Sequence, residues 1–133
     1  MPAPDPLITL LREWLAKADN DLKTAAHTLK LGADCLTDTV CFHAQQCVEK
    51  YLKALLTYHQ VEFPKTHNIQ RLLILVSGAN REGAEALNGA RWLGPFGVDI
   101  RYPGDGAEML PGDEVKAIEI APLREASGAS NSG

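Results

Sequence analysis

From Leu7 onward, apolar residues recur at three- and four-residue steps: Leu7, Leu11, Trp14, Leu15, Ala18, Leu22, Ala25, Ala26 and Leu29. Such spacing places them on one side of a helix. The opposite side carries Arg12, Glu13, Lys17, Asn20, Asp21 and Lys23. Asp5 is a suitable N-cap, and Pro6 fits the first helical turn. Gly32 suits a left-handed C-terminal position, so a long amphipathic helix is predicted to end near it.

A second helix is predicted over about residues 39–60, after a loop in which Asp34, Thr37 or Asp38 offers a cap. Val40, Ala44, Cys47, Val48, Tyr51, Leu55 and Tyr58 cluster on one side and form its expected core face. Phe42, Gln45, Glu49 and Leu56 fall roughly opposite, with Lys53 nearby. His43, Gln46, Lys50 and Lys53 make a polar stripe along one flank. A helix with a second, partly apolar strip is suited to touch a neighbouring subunit.

Pro64 keeps Phe63 out of the helical region, so residues 63–68 read as a turn. Asn68 or Thr66 then caps a short helix over residues 69–76, with Leu72, Leu73 and Val76 inward. Ser77-Gly78-Ala79-Asn80 stops it. A weaker helix follows over about residues 82–93, with Ala84, Leu87, Ala90 or Arg91, and Phe96 in step. Its glycines lower its propensity by roughly 0.8–1 kcal/mol each. Gly94-Pro95 and Gly97 break it, and Arg101-Tyr102-Pro103-Gly104 is a loop. The last helix is expected after Asp113, with Val115, Ile118, Ala121 and Leu123 inward and a kink or early end at Pro122.

Strand signals reduce to residues 98–100, with no second alternating run to pair with them. The predicted fold class is therefore all-α: an antiparallel up-and-down bundle of about four to five helices. Residues 1–126 form one expected domain. Residues 127–133 hold only Ser, Gly, Ala and Asn and read as a disordered tail.

Composition narrows the function classes. The chain has 133 residues, a formal charge of −4 and 6% aromatic residues. That length closes a modest core, in which aliphatic packing dominates. Mild acidity argues against non-specific binding to a nucleic-acid backbone, which needs a basic footprint. The cysteines, Cys35, Cys41 and Cys47, are odd in number and lack zinc-site spacing. Cys41 and Cys47 fall in the helical pattern and read as small buried apolar residues, and a reducing cytoplasm is the expected compartment. The N-terminal stretch is not a signal peptide, and the longest apolar run, residues 72–76, is too short to span a membrane. No metal spacing, phosphate loop or nucleophile elbow is present, so no cofactor is expected.

Several motifs together resemble a known family. Trp14, Ala18, Asp21-Leu22 and Ala25-Ala26 lie in the opening helix. Cys41-Phe42-His43-Ala44-Gln45-Gln46-Cys47-Val48-Glu49-Lys50-Tyr51-Leu52-Lys53-Ala54-Leu55 follow in the second. Pro64-Lys65-Thr66-His67-Asn68-Ile69 precede Leu72, and Asp99-Ile100-Arg101-Tyr102-Pro103-Gly104 come last. In this order they resemble the prokaryotic HEPN domain. The resemblance implies a helical bundle that forms a homodimer. It also implies a stand-alone partner of a minimal nucleotidyltransferase, as in toxin–antitoxin pairs.

Some HEPN proteins are metal-independent ribonucleases with an Arg-x4–6-His motif. Here none of His27, His43, His59 and His67 follows an arginine at that spacing. The leading expectation is a binding subunit without catalytic activity. It would take a nucleotide or RNA ligand through Gln46, Lys50, Lys53, His67, Asp99, Arg101 and Tyr102. Lysine supplies a point charge, arginine a planar fork, and tyrosine a stacking face. The structural reading of the same residues stands beside it. Lys50 and Lys53 lie on a solvated flank, Glu49 pairs with Lys53, His67 fixes a turn, and Arg101 bridges to Glu49 or Asp99. Two other functions stay open. One is a ribonuclease in which Arg101 stabilises the phosphate and His43 or His67 is the base. The other is a plain dimerisation scaffold.

Overall fold

The computed structural model describes residues 5–32, 36–97 and 112–121. Its elements are α1 (Pro6–Leu29), α2 (Thr37–Tyr58), α3 (Ile69–Ala79), α4 (Arg81–Ala86), a 3₁₀ segment (Asn88–Gly97) and α5 (Asp113–Ile120). Among the described residues there is no strand, and the fold is an all-α bundle. No described helix is long and apolar enough to cross a membrane.

The local signals placed most of these elements. The Asp5 carboxylate accepts from the Leu7 amide, and Pro6 occupies the first turn of α1. Gly32 takes a φ of 63°, which costs little only without a Cβ. Asn68 caps α3 by accepting from the Arg71 amide at 3.0 Å, while Thr66 Oγ1 accepts from the Asn68 amide. Asn68→Ala is expected to destabilise the fold by about 0.5–2 kcal/mol, read as a lower thermal midpoint.

α2 starts earlier than expected, with Leu36 at the N-cap and no side-chain cap. Thr37 instead donates to Glu114 in the first turn of α5, and Asp34 lies outside the described residues. The helix closes through paired bonds, Val61 N–H to the Leu56 carbonyl and Gln60 N–H to the Thr57 carbonyl. Gln60 takes the left-handed position with a φ of 56°, the role glycine usually fills in this motif.

α2 is the hub. It packs against α1, α3, the 3₁₀ segment and α5. Ala18, Leu22 and Cys47 join α2 to α1, and Ala25 meets Val40 and Ile118. These small side chains let the two long helices approach closely. The larger core holds Leu52, Leu56, Ile69, Leu72, Leu73, Val76, Leu87, Leu93 and Phe96.

This packing corrects the expected faces of α2. Tyr58 is 61% exposed, and Tyr51 and Leu55 are only half-buried. Gln45, Glu49 and Leu56, expected on the far side, are almost fully buried. On the strip expected to meet another subunit, Leu56 packs instead in the chain's own core with Ile69, Leu72 and Leu93, while Phe42 is half-buried. A helix packed against several neighbours keeps only a narrow half-exposed edge along its middle, at Gln46, Lys50 and Tyr51.

The weak fourth helix divides. α4 ends at Ala86, and a 3₁₀ segment continues to Gly97. Its buried residues, Ala84, Leu87, Ala90, Leu93 and Phe96, fall at every third position. Three is the 3₁₀ period, which stacks them on one edge. In α5 the inward residues are Ala117, Ile118 and Ala121, whereas Val115 is 45% exposed, against expectation. Lys116 lies over the Trp92 ring at 4.3 Å. α5 stops at Ile120, ahead of Pro122, because proline disfavours a helical residue before it.

Candidate functional site

α2 carries its polar residues into the bundle, and they assemble into two carboxylate–histidine–lysine networks. The first lies between α1 and α2. Asp21 faces α2 because it continues the Ala18–Leu22–Ala25 stripe of α1. Its Oδ1 is 2.9 Å from His43 Nδ1, and its Oδ2 accepts from Lys50 Nζ. The Lys50 side chain is 24% exposed and that of Asp21 only 12%. Lys50 is therefore neither free nor fully solvated.

The second network is deeper. Glu49 Oε1 is 3.2 Å from Lys53 Nζ and 2.6 Å from His67 Nδ1. Glu49 is 1% exposed and Lys53 8%. Lys53 thus leaves the solvated flank on which the sequence placed it. Its ammonium lies 5.5 Å from the centre of the Trp14 ring, and Trp14 packs edge-on against Phe63. The i,i+4 pairing of Glu49 with Lys53 is as the sequence suggested. Burial makes it far more consequential than a surface pair, because both charges have left water.

The His67 side chain is 77% exposed. Its Nδ1 lies within hydrogen-bond distance of Glu49 Oε1, so the ring is tied to the buried carboxylate while most of its surface meets solvent. The loop before α3 is held from behind as well. Gln45 Nε2 donates to the His67 carbonyl at 3.3 Å, and Gln46 Nε2 donates to Gln45 Oε1 at 2.7 Å. A chain of hydrogen bonds therefore runs from half-buried Gln46 through the core to the turn.

Glu49 Oε2 is buried and, among the described residues, has no hydrogen-bond partner. A buried acceptor left unmade costs about 1–3 kcal/mol, and more for a charged group. His67 lines a groove of about 500 Å³ with Asn68, Ile69, Gln70, Arg91, Gly94 and Pro95. No described cluster of His, Cys, Asp and Glu is arranged to hold a metal ion.

Of the expected site residues, Gln46, Lys50, Lys53 and His67 are drawn into these networks. Asp99, Arg101 and Tyr102 lie outside the described residues. Asp21 and Gln45 were missed as site residues. A signal for Gln45 was present: Gln45, Glu49, Leu52 and Leu56 follow four-, three- and four-residue steps, the pattern of a buried stripe.

A family model described as the HEPN domain matches residues 11–122. The chain belongs to the HEPN family. No curated protein and no solved structure matches it. The match spans both networks, from Asp21 on α1 to His67 at the start of α3. The HEPN helix α2 is thus also the element that carries most of the polar interior.

Proposed function

We propose that this HEPN protein is a non-catalytic, nucleotide-binding subunit that dimerises and works with a separate minimal nucleotidyltransferase, as in a toxin–antitoxin-type pair. The observation that carries the reading is the charged interior of α2. A buried ion pair is no better for stability than apolar residues of the same volume. Glu49 with an unsatisfied oxygen is worse. Local rules of packing are broken at functional sites and compensated elsewhere. Here the apolar core around Leu52, Leu56 and Leu72 provides that compensation.

Binding rather than catalysis fits the roles available. Asp21 orients His43 and Lys50, and Gln46 extends the half-buried edge beside them. Lys50 supplies a positive charge for phosphate, and Gln46 and His67 supply hydrogen bonds for base or ribose. Lys53 holds Glu49 in place. Asp99, Arg101 and Tyr102 are further ligand-binding residues in this reading. The Arg-x4–6-His pair of the ribonuclease members is absent from the sequence.

A fluorescent ATP analogue is expected to bind the purified protein at or below millimolar concentration. Gln46→Ala and Lys50→Ala are each expected to weaken it by about tenfold, the loss of one good polar contact. No anisotropy change at millimolar protein would overturn the reading. Affinity capture of the protein with mass spectrometry is expected to recover a small nucleotidyltransferase in stoichiometric amount.

A further inference from the structure

The hydrogen-bond chain from Gln46 to the turn before α3 has a direction, and its inner end dictates it. Gln45 is 0% exposed and reaches both the His67 carbonyl and the Gln46 amide. A backbone carbonyl only accepts, whereas a glutamine amide has an accepting oxygen and a donating nitrogen. Gln45 must therefore turn Nε2 toward His67, at 3.3 Å, which leaves its Oε1 toward Gln46. Gln46 must answer with its own Nε2, at 2.7 Å. Turning the Gln46 amide over would set two oxygens against each other and leave the buried Gln45 oxygen without a donor. That loss disfavours the turned amide by about tenfold or more.

Gln46 is half-buried and lies one turn before half-buried Lys50, on the same side of α2. With one Nε2 hydrogen committed to Gln45, its amide offers a ligand a fixed pattern: Oε1 as acceptor beside one remaining N–H donor. Lys50 is fixed as well, since Asp21 Oδ2 takes one of its three ammonium hydrogens. A nucleotide with its phosphate at Lys50 and its base at Gln46 therefore meets the amide from one direction.

On the nucleotide-binding reading above, in which Lys50 takes phosphate and Gln46 the base, we infer that Gln45 is a positioning residue that makes the site select an amino base over a keto base. Adenine presents an amino donor beside a ring-nitrogen acceptor, which a glutamine amide meets with two bonds. Hypoxanthine has an oxygen in place of the amino group and a hydrogen on the adjacent ring nitrogen, so the order is reversed. Its other edge offers two acceptors, for which the Gln46 amide has one donor. A freely turning glutamine pairs with either base. A glutamine locked by Gln45 pairs fully with adenine alone, because a keto base would have to enter end for end and carry its phosphate away from Lys50.

Calorimetric titrations of the full chain with ATP and with ITP, its hypoxanthine counterpart, test this, since the two differ only at the edge that Gln46 would read. Wild type is expected to bind ATP about tenfold or more tightly than ITP. Gln46→Ala is expected to bring ATP affinity down to that for ITP. Gln45→Met keeps a similar length without the amide, so the freed Gln46 turns over and ITP affinity rises toward that for ATP. A merely structural role for Gln45 would weaken both nucleotides alike and keep their ratio, and that result overturns the assignment. Should Gln45→Met not fold, as read by circular dichroism, hydrogen exchange of the wild-type Gln46 side-chain amide decides by NMR. One of its two hydrogens is expected to exchange more slowly than the other, and equal rates overturn the lock. If wild type binds ATP and ITP equally, base selection is overturned and nucleotide binding stands. If wild type binds neither, both fall.

Discussion

Lys53→Met is expected to lower the unfolding free energy by about 3–5 kcal/mol, because it strands the Glu49 carboxylate in the core without its cation. Glu49 is 1% exposed, and one of its oxygens accepts from Lys53 and contacts His67 Nδ1. Methionine preserves the length and apolar contacts of the lysine stem, including its place beside Trp14, so the loss reports charge rather than volume. Urea denaturation of wild type and variant measures it. The double variant Glu49→Leu/Lys53→Met is expected to recover most of the loss, since an apolar pair of similar volume replaces a buried ion pair at little or no cost. If the single variant is as stable as wild type, the carboxylate is not buried as described. The double variant also separates stability from function: on the reading above it folds but binds ATP more weakly.

Leu56→Ala is expected to cost about 2–5 kcal/mol, the loss of a fully buried leucine together with the cavity left behind. Leu56 is 0% exposed and belongs to the main core with Leu52, Leu72 and Val76. The sequence pattern alone placed it on a strip facing another subunit. The two positions give opposite outcomes. A core residue changes the denaturation midpoint and leaves the oligomeric state alone. An interface residue shifts the sedimentation profile and leaves the isolated chain's stability nearly unchanged. A stable Leu56→Ala protein with altered oligomeric state would reverse the placement described here.

The error at Leu56 and the one at Tyr58 have the same origin. Periodicity finds the apolar sides of a helix but not how many neighbours cover them. α2 has two stripes, Val40–Ala44–Cys47–Val48 and Gln45–Glu49–Leu52–Leu56. The second is half polar, so on hydropathy alone it reads as a surface. The 3₁₀ segment shows the converse. Its glycines and Pro95 argue against an α-helix, and the every-third spacing of its apolar residues was already visible.

The amino-acid sequence by itself determined the helices, their caps at Asp5 and Asn68, the stop before Pro122 and the all-α class. These depend on contacts a few residues apart, which the chain order specifies. It also carried the family motifs and the Glu49–Lys53 pair, one turn apart on the same helix. Only the tertiary structure decided that α2 is enclosed, and that Asp21 on α1 serves both His43 and Lys50. It alone brought His67 from the turn before α3 to Glu49 and set Arg91 in the same groove. Those partners lie between 18 and 29 residues apart along the chain for the contacts to Glu49 and Asp21. Their meeting depends on how far one helix slides and rotates against the next, which packing of the whole core fixes and no local pattern records.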